Sequence, residues 1–466
     1  MRKTKIVCTV GPKTESYEMI EKMMDLGVNS FRLNTSHGDW NEHEQRILKI
    51  KKLREKKGLP VSILMDLAGP KVRTGALEKD EVFLKSGQEL ILTTEEVLGN
   101  ERVLSVNLRT LPKDVKRGDK ILIKDGEIVL EVLEASGREV KTLVKVGGKI
   151  SHRQGVNVPG VDLSVESLTD RDREFIKLGV LHDVEFFALS FVRKAEDVVK
   201  AKEEIRKYGK DIAVISKIET KKALENLEEI IKVSDAVMVA RGDLGVEVPV
   251  EEVPIVQKEI IRLSKEYSKP VIVATQILES MLNNPYPTRA EVTDIANAIF
   301  DGADALLLTA ETAVGNFPLE AIGVLNKVAV EAEKRLEYFR TYDTKMEDVS
   351  EAISKACWQL AEILKPTAIV TPTISGCTAV RMSKHNLKSP IFALTPNLQT
   401  YYRLSIVRNT YPMLVESCER ELEFVMNGIE KLKGMGFLRT GDLILITSGT
   451  PGKVGATNTI RVLRVE

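Results

Sequence analysis

"IAVISKIETKKALENLEEIIKVSDAVMVARGD", residues 212–243, contains two short apolar runs, 212–217 and 236–240, joined by a stretch with helical periodicity. Both runs are too short for a helix and too continuously apolar for a half-exposed strand. They read as parallel strands covered on both faces, and with the helix between them they form a βα unit.

The unit recurs. "TKIVCTV" (4–10), "VNSFRL" (28–33), "VSILMD" (61–66) and "VEFFALS" (184–190) precede this pair, and "VIVAT" (271–275) and "ALLLT" (305–309) follow it. The spacing is about 24 to 35 residues, a strand plus a helix and two loops, except between the third and fourth runs. Eight such units predict a (β/α)8 barrel of the TIM type, with a doubly wound sheet as the alternative. The long interval holds alternating patterns and the turn signals Asp125-Gly126, Ser136-Gly137 and Gly147-Gly148, so it reads as an inserted small all-β domain. From about 339, strand and helix patterns alternate again, predicting a C-terminal α/β domain. The expected division is barrel 1–69 and 163–338, insert 70–162, and C-terminal domain 339–466. An insert rooted at the end of the third strand stands beside the catalytic face and is a candidate lid.

The 466 residues carry 68 basic and 68 acidic side chains, so there is no overall field to favour nucleic acid or an anionic membrane. No apolar run approaches a membrane span or signal-peptide core, which predicts a cytoplasmic protein. Cys8, Cys357, Cys377 and Cys418 lack CxxC spacing and read as buried thiols. High Lys and Glu with scarce Gln is the bias of heat-adapted proteins.

Chemistry in such barrels sits where strands end. The polar groups there are Arg32, Asn34, Ser36 and His37 after the second strand, Asp66 after the third, and Ser190 and Arg193 after the fourth. Lys217 and Glu219 follow the fifth, Arg241 to Asp243 the sixth, Thr275 and Gln276 the seventh, Thr309 and Glu311 the eighth. Glu219 and Asp243, from adjacent strands, are hard oxygen ligands suited to magnesium or manganese, leaving positions for water and substrate. Lys217, two residues before Glu219, points to the same side and suits a phosphoryl group or nascent enolate. Amides around Gly242 and Asp243 suit a carboxylate, and Arg32 and Arg73 suit phosphate. The combination reads as phosphoryl transfer involving a small carboxylated substrate. A metal-dependent barrel aldolase or lyase acting on pyruvate is the rival reading.

"FRLNTSHG", "MDLAGPKVRTG", "SKIET", "ARGDLGVEVP", "ATQILESM" and "PTRAEVTDIANAIFDGADALLLTAETAVGNFP", in this order, closely resemble pyruvate kinase over essentially the whole chain. The resemblance implies phosphoryl transfer from phosphoenolpyruvate to ADP, giving pyruvate and ATP in glycolysis. It assigns Glu219 and Asp243 to the divalent metal, and Lys217 to the phosphoryl group and enolate. It assigns Thr275 to protonation, the amides of Gly242 and Asp243 to the substrate carboxylate, and Arg32 and Arg73 to phosphate. His37, Asn34, Arg73 and Asp125 fall to the nucleotide. Asn34, Ser36, Asp66 and the Leu67 carbonyl correspond to a potassium site. Lys71 stands where potassium-dependent members carry Glu, and Leu67-Ala68 where they carry Thr-Lys, which predicts potassium-independent activity because a fixed ammonium replaces and repels the cation. Gln154 replaces a basic lid residue. Thr373, Ser375, Gly376, Thr378 and Lys453 match a phosphorylated effector's pocket, its ligand a sugar phosphate or a nucleotide. The resemblance also implies a homotetramer.

Overall fold

The computed structural model describes residues 1–335, 345, 348–449 and 457–466. Eight parallel strands close a barrel: Lys5–Thr9, Ser30–Asn34, Ser62–Leu67, Phe186–Leu189, Ala213–Ile218, Ala236–Ala240, Val271–Ala274 and Ala305–Leu308. Each lies on one of the apolar runs, shifted by at most two residues at either end. All but parts of the second strand are buried, because helices cover the outside and side chains fill the inside.

The interior is packed by Val7, Leu64, Phe186, Ile215, Met238 and Ile272 among others, and Ile406 of the C-terminal domain joins this cluster. Ser405 Oγ meets Ser62 Oγ at 2.8 Å, and the Asn409 amide donates to the Lys3 carbonyl at 2.9 Å. The segment around residue 406 therefore closes the barrel's amino-terminal end, leaving the opposite mouth for chemistry.

The insert forms a six-stranded sheet and a separate pair, Gly148–Ser151 with Glu81–Leu84. Gly147-Gly148 is consequently not the hairpin turn its sequence suggests. After Glu139–Val146 the chain leaves one sheet for the other, and Gly147 passes so close to Leu84 that an added Cβ would lie 2.2 Å from its carbonyl oxygen. The Asp125-Gly126 turn does form, with Lys124, Asp125 and Gly126 all at positive φ.

In the C-terminal domain, four parallel strands, Ala368–Pro372, Ile391–Thr395, Thr410–Leu414 and Leu443–Gly449, lie on the apolar runs "TAIVTPT", "PIFALTP", "YPMLVES" and "DLILITSGT", and Thr457–Arg464 adds an antiparallel edge. Cys8 and Cys357 are buried as expected, but Cys377 is exposed and Cys418 half-buried; all four are free. Exposure of Cys377 follows from its place at the start of a short surface helix, Cys377–Ser383. Among the described residues, no helix is long and apolar enough to cross a membrane.

Candidate active site

Parallel register decides which strand ends meet. Asp66 pairs with Ala188, and Ala188 with Ile215, so Asp66 at the end of the third strand faces Lys217 across the fourth. Lys217 Nζ lies 3.4 Å from Asp66 Oδ1 and 3.3 Å from Glu219 Oε2, and donates to Ser190 Oγ at 2.7 Å. Ser190 in turn donates to the Leu67 carbonyl at 2.8 Å. Asp66 also accepts from Arg32 Nε at 2.7 Å, while Arg32 Nη1 donates to Thr9 Oγ1 at 3.0 Å. Both carboxylates are buried, Asp66 2% and Glu219 1% exposed, which rules out a solvated surface pair.

Burial would lower the Lys217 ammonium, but Asp66, Glu219 and Asp243 outweigh it and hold it above the ordinary lysine range. Lys217 is therefore held as a cation at the barrel mouth. Burial would raise Asp66, yet Lys217 and Arg32 keep it below its usual value. Glu219 is pushed up to about 7 by burial, against the pull of Lys217 and with the repulsion of Asp243.

Glu219 Oε1 accepts the Phe191 amide at 2.6 Å, but Oε2 is buried without a hydrogen bond. A buried carboxylate oxygen left this way, with a second carboxylate close enough to repel it, fits a divalent cation. Among the described residues there is no cluster of three or more His, Cys, Asp or Glu able to hold a metal alone. Glu219 and Asp243 are hard oxygen donors of the kind a divalent cation accepts together with water.

Asp243 lies in the helix Arg241–Glu247 after the sixth strand. The amide of Gly242 is not free, as the sequence suggests, but donates to Thr275 Oγ1 at 2.8 Å. That contact brings Gly242 and Thr275 together at the mouth. Asn34 Oδ1 accepts the Ser36 amide at 3.1 Å, and the Leu67 carbonyl is taken up by Ser190. Lys71 is solvent-exposed as a residue; desolvation by the surrounding protein, with Lys217 nearby, lowers its ammonium despite Asp243, Asp66 and Glu219. His37 is exposed, and its imidazole is lowered by partial burial and by Lys71, Arg73 and Arg32, so these three cations share its surroundings.

Between mouth and insert runs a cleft of about 460 Å³, lined from the barrel by Phe191, Arg193 and Asp243 and from the insert by Arg73, Asp125 and Gln154. The residues that the sequence matches to an effector pocket lie elsewhere, in the C-terminal domain. There Thr373 Oγ1 accepts the Gly376 amide at 2.8 Å, Ser375 Oγ accepts the Cys377 amide at 3.5 Å, and Thr378 and Thr457 hydroxyls meet at 2.6 Å. Lys453 falls outside the described residues.

Sequence reading gave no role to the Phe191 amide or to Thr9. Phe191 has φ +55, a left-handed conformation that an apolar aromatic does not advertise, and Thr9 looks like an ordinary strand residue. Ser190 and Arg241 were visible as strand-end polar groups, without their partners.

A barrel mouth with a buried lysine between two acids, and a cleft rich in cations under an inserted domain, has the chemistry of an enzyme site for an anionic substrate. The model of the pyruvate kinase barrel domain matches residues 1–322, and that of the pyruvate kinase alpha/beta domain residues 351–463. The chain is 74% identical over its whole length to a pyruvate kinase of Thermotoga maritima, also matched in full. It is 42% identical to one of Bacillus licheniformis, over 99% of this chain and 80% of that one. A crystal structure of a pyruvate kinase from Cryptosporidium parvum superposes with a TM-score of 0.95 at 33% identity, covering 100% of this chain and 96% of the other. The chain belongs to the pyruvate kinase family and is a phosphotransferase. The aldolase or lyase reading is set aside by that membership.

Proposed function

We propose that this site transfers the phosphoryl group of phosphoenolpyruvate to ADP, yielding pyruvate and ATP, and that Lys217 is its electrostatic centre. The observation that carries the reading is the Lys217 ammonium held between Asp66 and Glu219, whose buried Oε2 has that ion pair but no hydrogen bond. Glu219 and Asp243 hold magnesium or manganese, which when bound neutralises charge on substrate oxygens. Lys217, kept protonated, neutralises the moving phosphoryl group and the enolate oxygen left behind. Arg32, tied to Asp66 and Thr9, and Arg73, from the insert's root, orient the phosphate. Helix-start amides at Gly242 and Asp243 receive the substrate carboxylate, the Gly242 amide by exchanging Thr275 Oγ1 for substrate. Thr275 delivers a proton, through water, to the methylene carbon of the enolate. His37, Asn34, Arg73 and Asp125 receive the nucleotide in the cleft.

Lys71 takes the place of a monovalent cation near Asn34, Ser36, Asp66 and Leu67, so potassium is not required. Thr373, Ser375, Gly376 and Thr378, with Lys453, receive a phosphorylated effector. The domain division at 69/70, 162/163 and 338/339, a homotetramer, and a cytoplasmic place in glycolysis complete the proposal. Luminescent detection of ATP tests it: phosphoenolpyruvate, ADP and magnesium together should give ATP, and omission of any one should abolish it. ATP formation independent of divalent metal would overturn the reading.

A further inference from the structure

Thr275 and Gln276 have φ of +67° and +52°, two consecutive left-handed residues without a glycine. A β-branched residue rarely adopts this conformation, and it persists only where neighbours over-determine it. The neighbour here is Arg241. Its Nε and Nη2 donate to the Thr275 carbonyl at 3.2 and 2.7 Å, and Nη2 also donates to the Gln276 carbonyl at 2.9 Å. Nη1 donates to Asp294 Oδ2 at 2.6 Å and reaches Gln257 Oε1 at 3.5 Å. The guanidinium is buried, so these bonds face little competition from water.

The next residue fixes the other end of Thr275. The Gly242 amide donates to Thr275 Oγ1 at 2.8 Å, and that hydroxyl donates to the Ala274 carbonyl at 2.5 Å. Adjacent residues after the sixth strand thus hold both the backbone and the hydroxyl of the residue just after the seventh. Asp294, which aims the guanidinium, stands on the helix Arg289–Phe300, whose Thr288–Glu291 capping box also receives the Ser280 amide. A planar fork with several donors is needed to serve two carbonyls and a carboxylate at once, and lysine cannot supply it.

We propose that Arg241, aimed by Asp294, is a positioning residue for enolate protonation, acting through the strained Thr275–Gln276 turn. The inference rests on the role of Thr275 given above. Steady-state kinetics and solvent-deuterium incorporation into the methyl group of pyruvate, followed by proton NMR, test it on the parent, R241K, T275A, D294N and the R241K/T275A double variant. R241K should lower kcat and methyl exchange by about 10²-fold, the cost of an ångström-scale misplacement, while KM for phosphoenolpyruvate moves only a few-fold. D294N should shift both readouts in the same direction with folding intact. In the T275A background, R241K should add little, because both changes remove one unit of function. Multiplicative losses in the double variant, or an R241K effect confined to KM, would overturn the inference while leaving Thr275 its role. Parent-like turnover in T275A would overturn both.

Discussion

Replacing Lys217 by Met removes the ammonium while keeping most of the stem. Nζ is 3.3 Å from Glu219 Oε2 and 3.4 Å from Asp66 Oδ1, and a substrate oxyanion at similar range would feel about 5 kcal/mol per unit charge at an effective dielectric near 20. Only the part that grows between ground state and transition state accelerates the reaction. Loss of one preorganised donor costs ~3–4 kcal/mol, so kcat should fall about 10²- to 10³-fold. The substitution also strips a cation from two buried acids. Glu219, already raised to about 7, loses the charge that opposes that rise, while a bound metal loses a neighbouring cation that repels it, so metal affinity changes for two opposing reasons. Turnover should therefore be measured at saturating magnesium and at pH 8, with metal affinity determined separately by calorimetry. A variant that binds magnesium and turns over within a few-fold of the parent would refute the assignment of Lys217.

Potassium should not stimulate the parent above a choline-balanced control, whereas K71E should lose activity and recover it on adding potassium; a parent strongly activated by potassium contradicts the role of Lys71. His385 is 2% exposed and its ring nitrogens lack hydrogen bonds; burial with the charges of Lys384 and Lys355 lowers it to about 3, although Nε2 lies 3.8 Å from Glu351 Oε1. Since the unfolded imidazole titrates near 6.5, its neutral form favours the fold fully above that pH. Stability is then lost as pH falls from about 6.5 toward 3, at about 1.4 kcal/mol per unit. Relative to its own value at pH 7.5, H385L should lose less of its urea midpoint at pH 5 than the parent does; parallel losses would contradict the buried neutral ring. Gly428→Ala should destabilise the C-terminal domain, as its Cβ would lie 2.2 Å from Cδ1 of the fully buried Leu394, and an unchanged melting temperature would show that Leu394 or the helix Glu421–Gly434 gives way freely.

The barrel was legible because parallel strands buried on both sides need uninterrupted apolar runs, and "AVMVA" or "VIVA" can be little else. The strand Thr457–Arg464 was not, since an exposed edge strand carries Asn458, Arg461 and Arg464 and only its length and pairing reveal it. Two acids and a lysine at strand ends were likewise visible as letters. What sequence does not carry is the reach across the fourth strand that brings Asp66 to Lys217, because that depends on barrel register. Nor does it show that the Phe191 amide holds one oxygen of Glu219, or that Thr275 occupies the Gly242 amide, since backbone donors have no residue type.

Anomalous diffraction from crystals soaked with manganese tests the centre of this account directly. A single strong peak bonded to Glu219 Oε2 and a carboxylate oxygen of Asp243, beside Lys217 at the barrel mouth, is the expected result. A fully occupied peak away from both carboxylates, with ATP still formed from phosphoenolpyruvate and ADP, would contradict it.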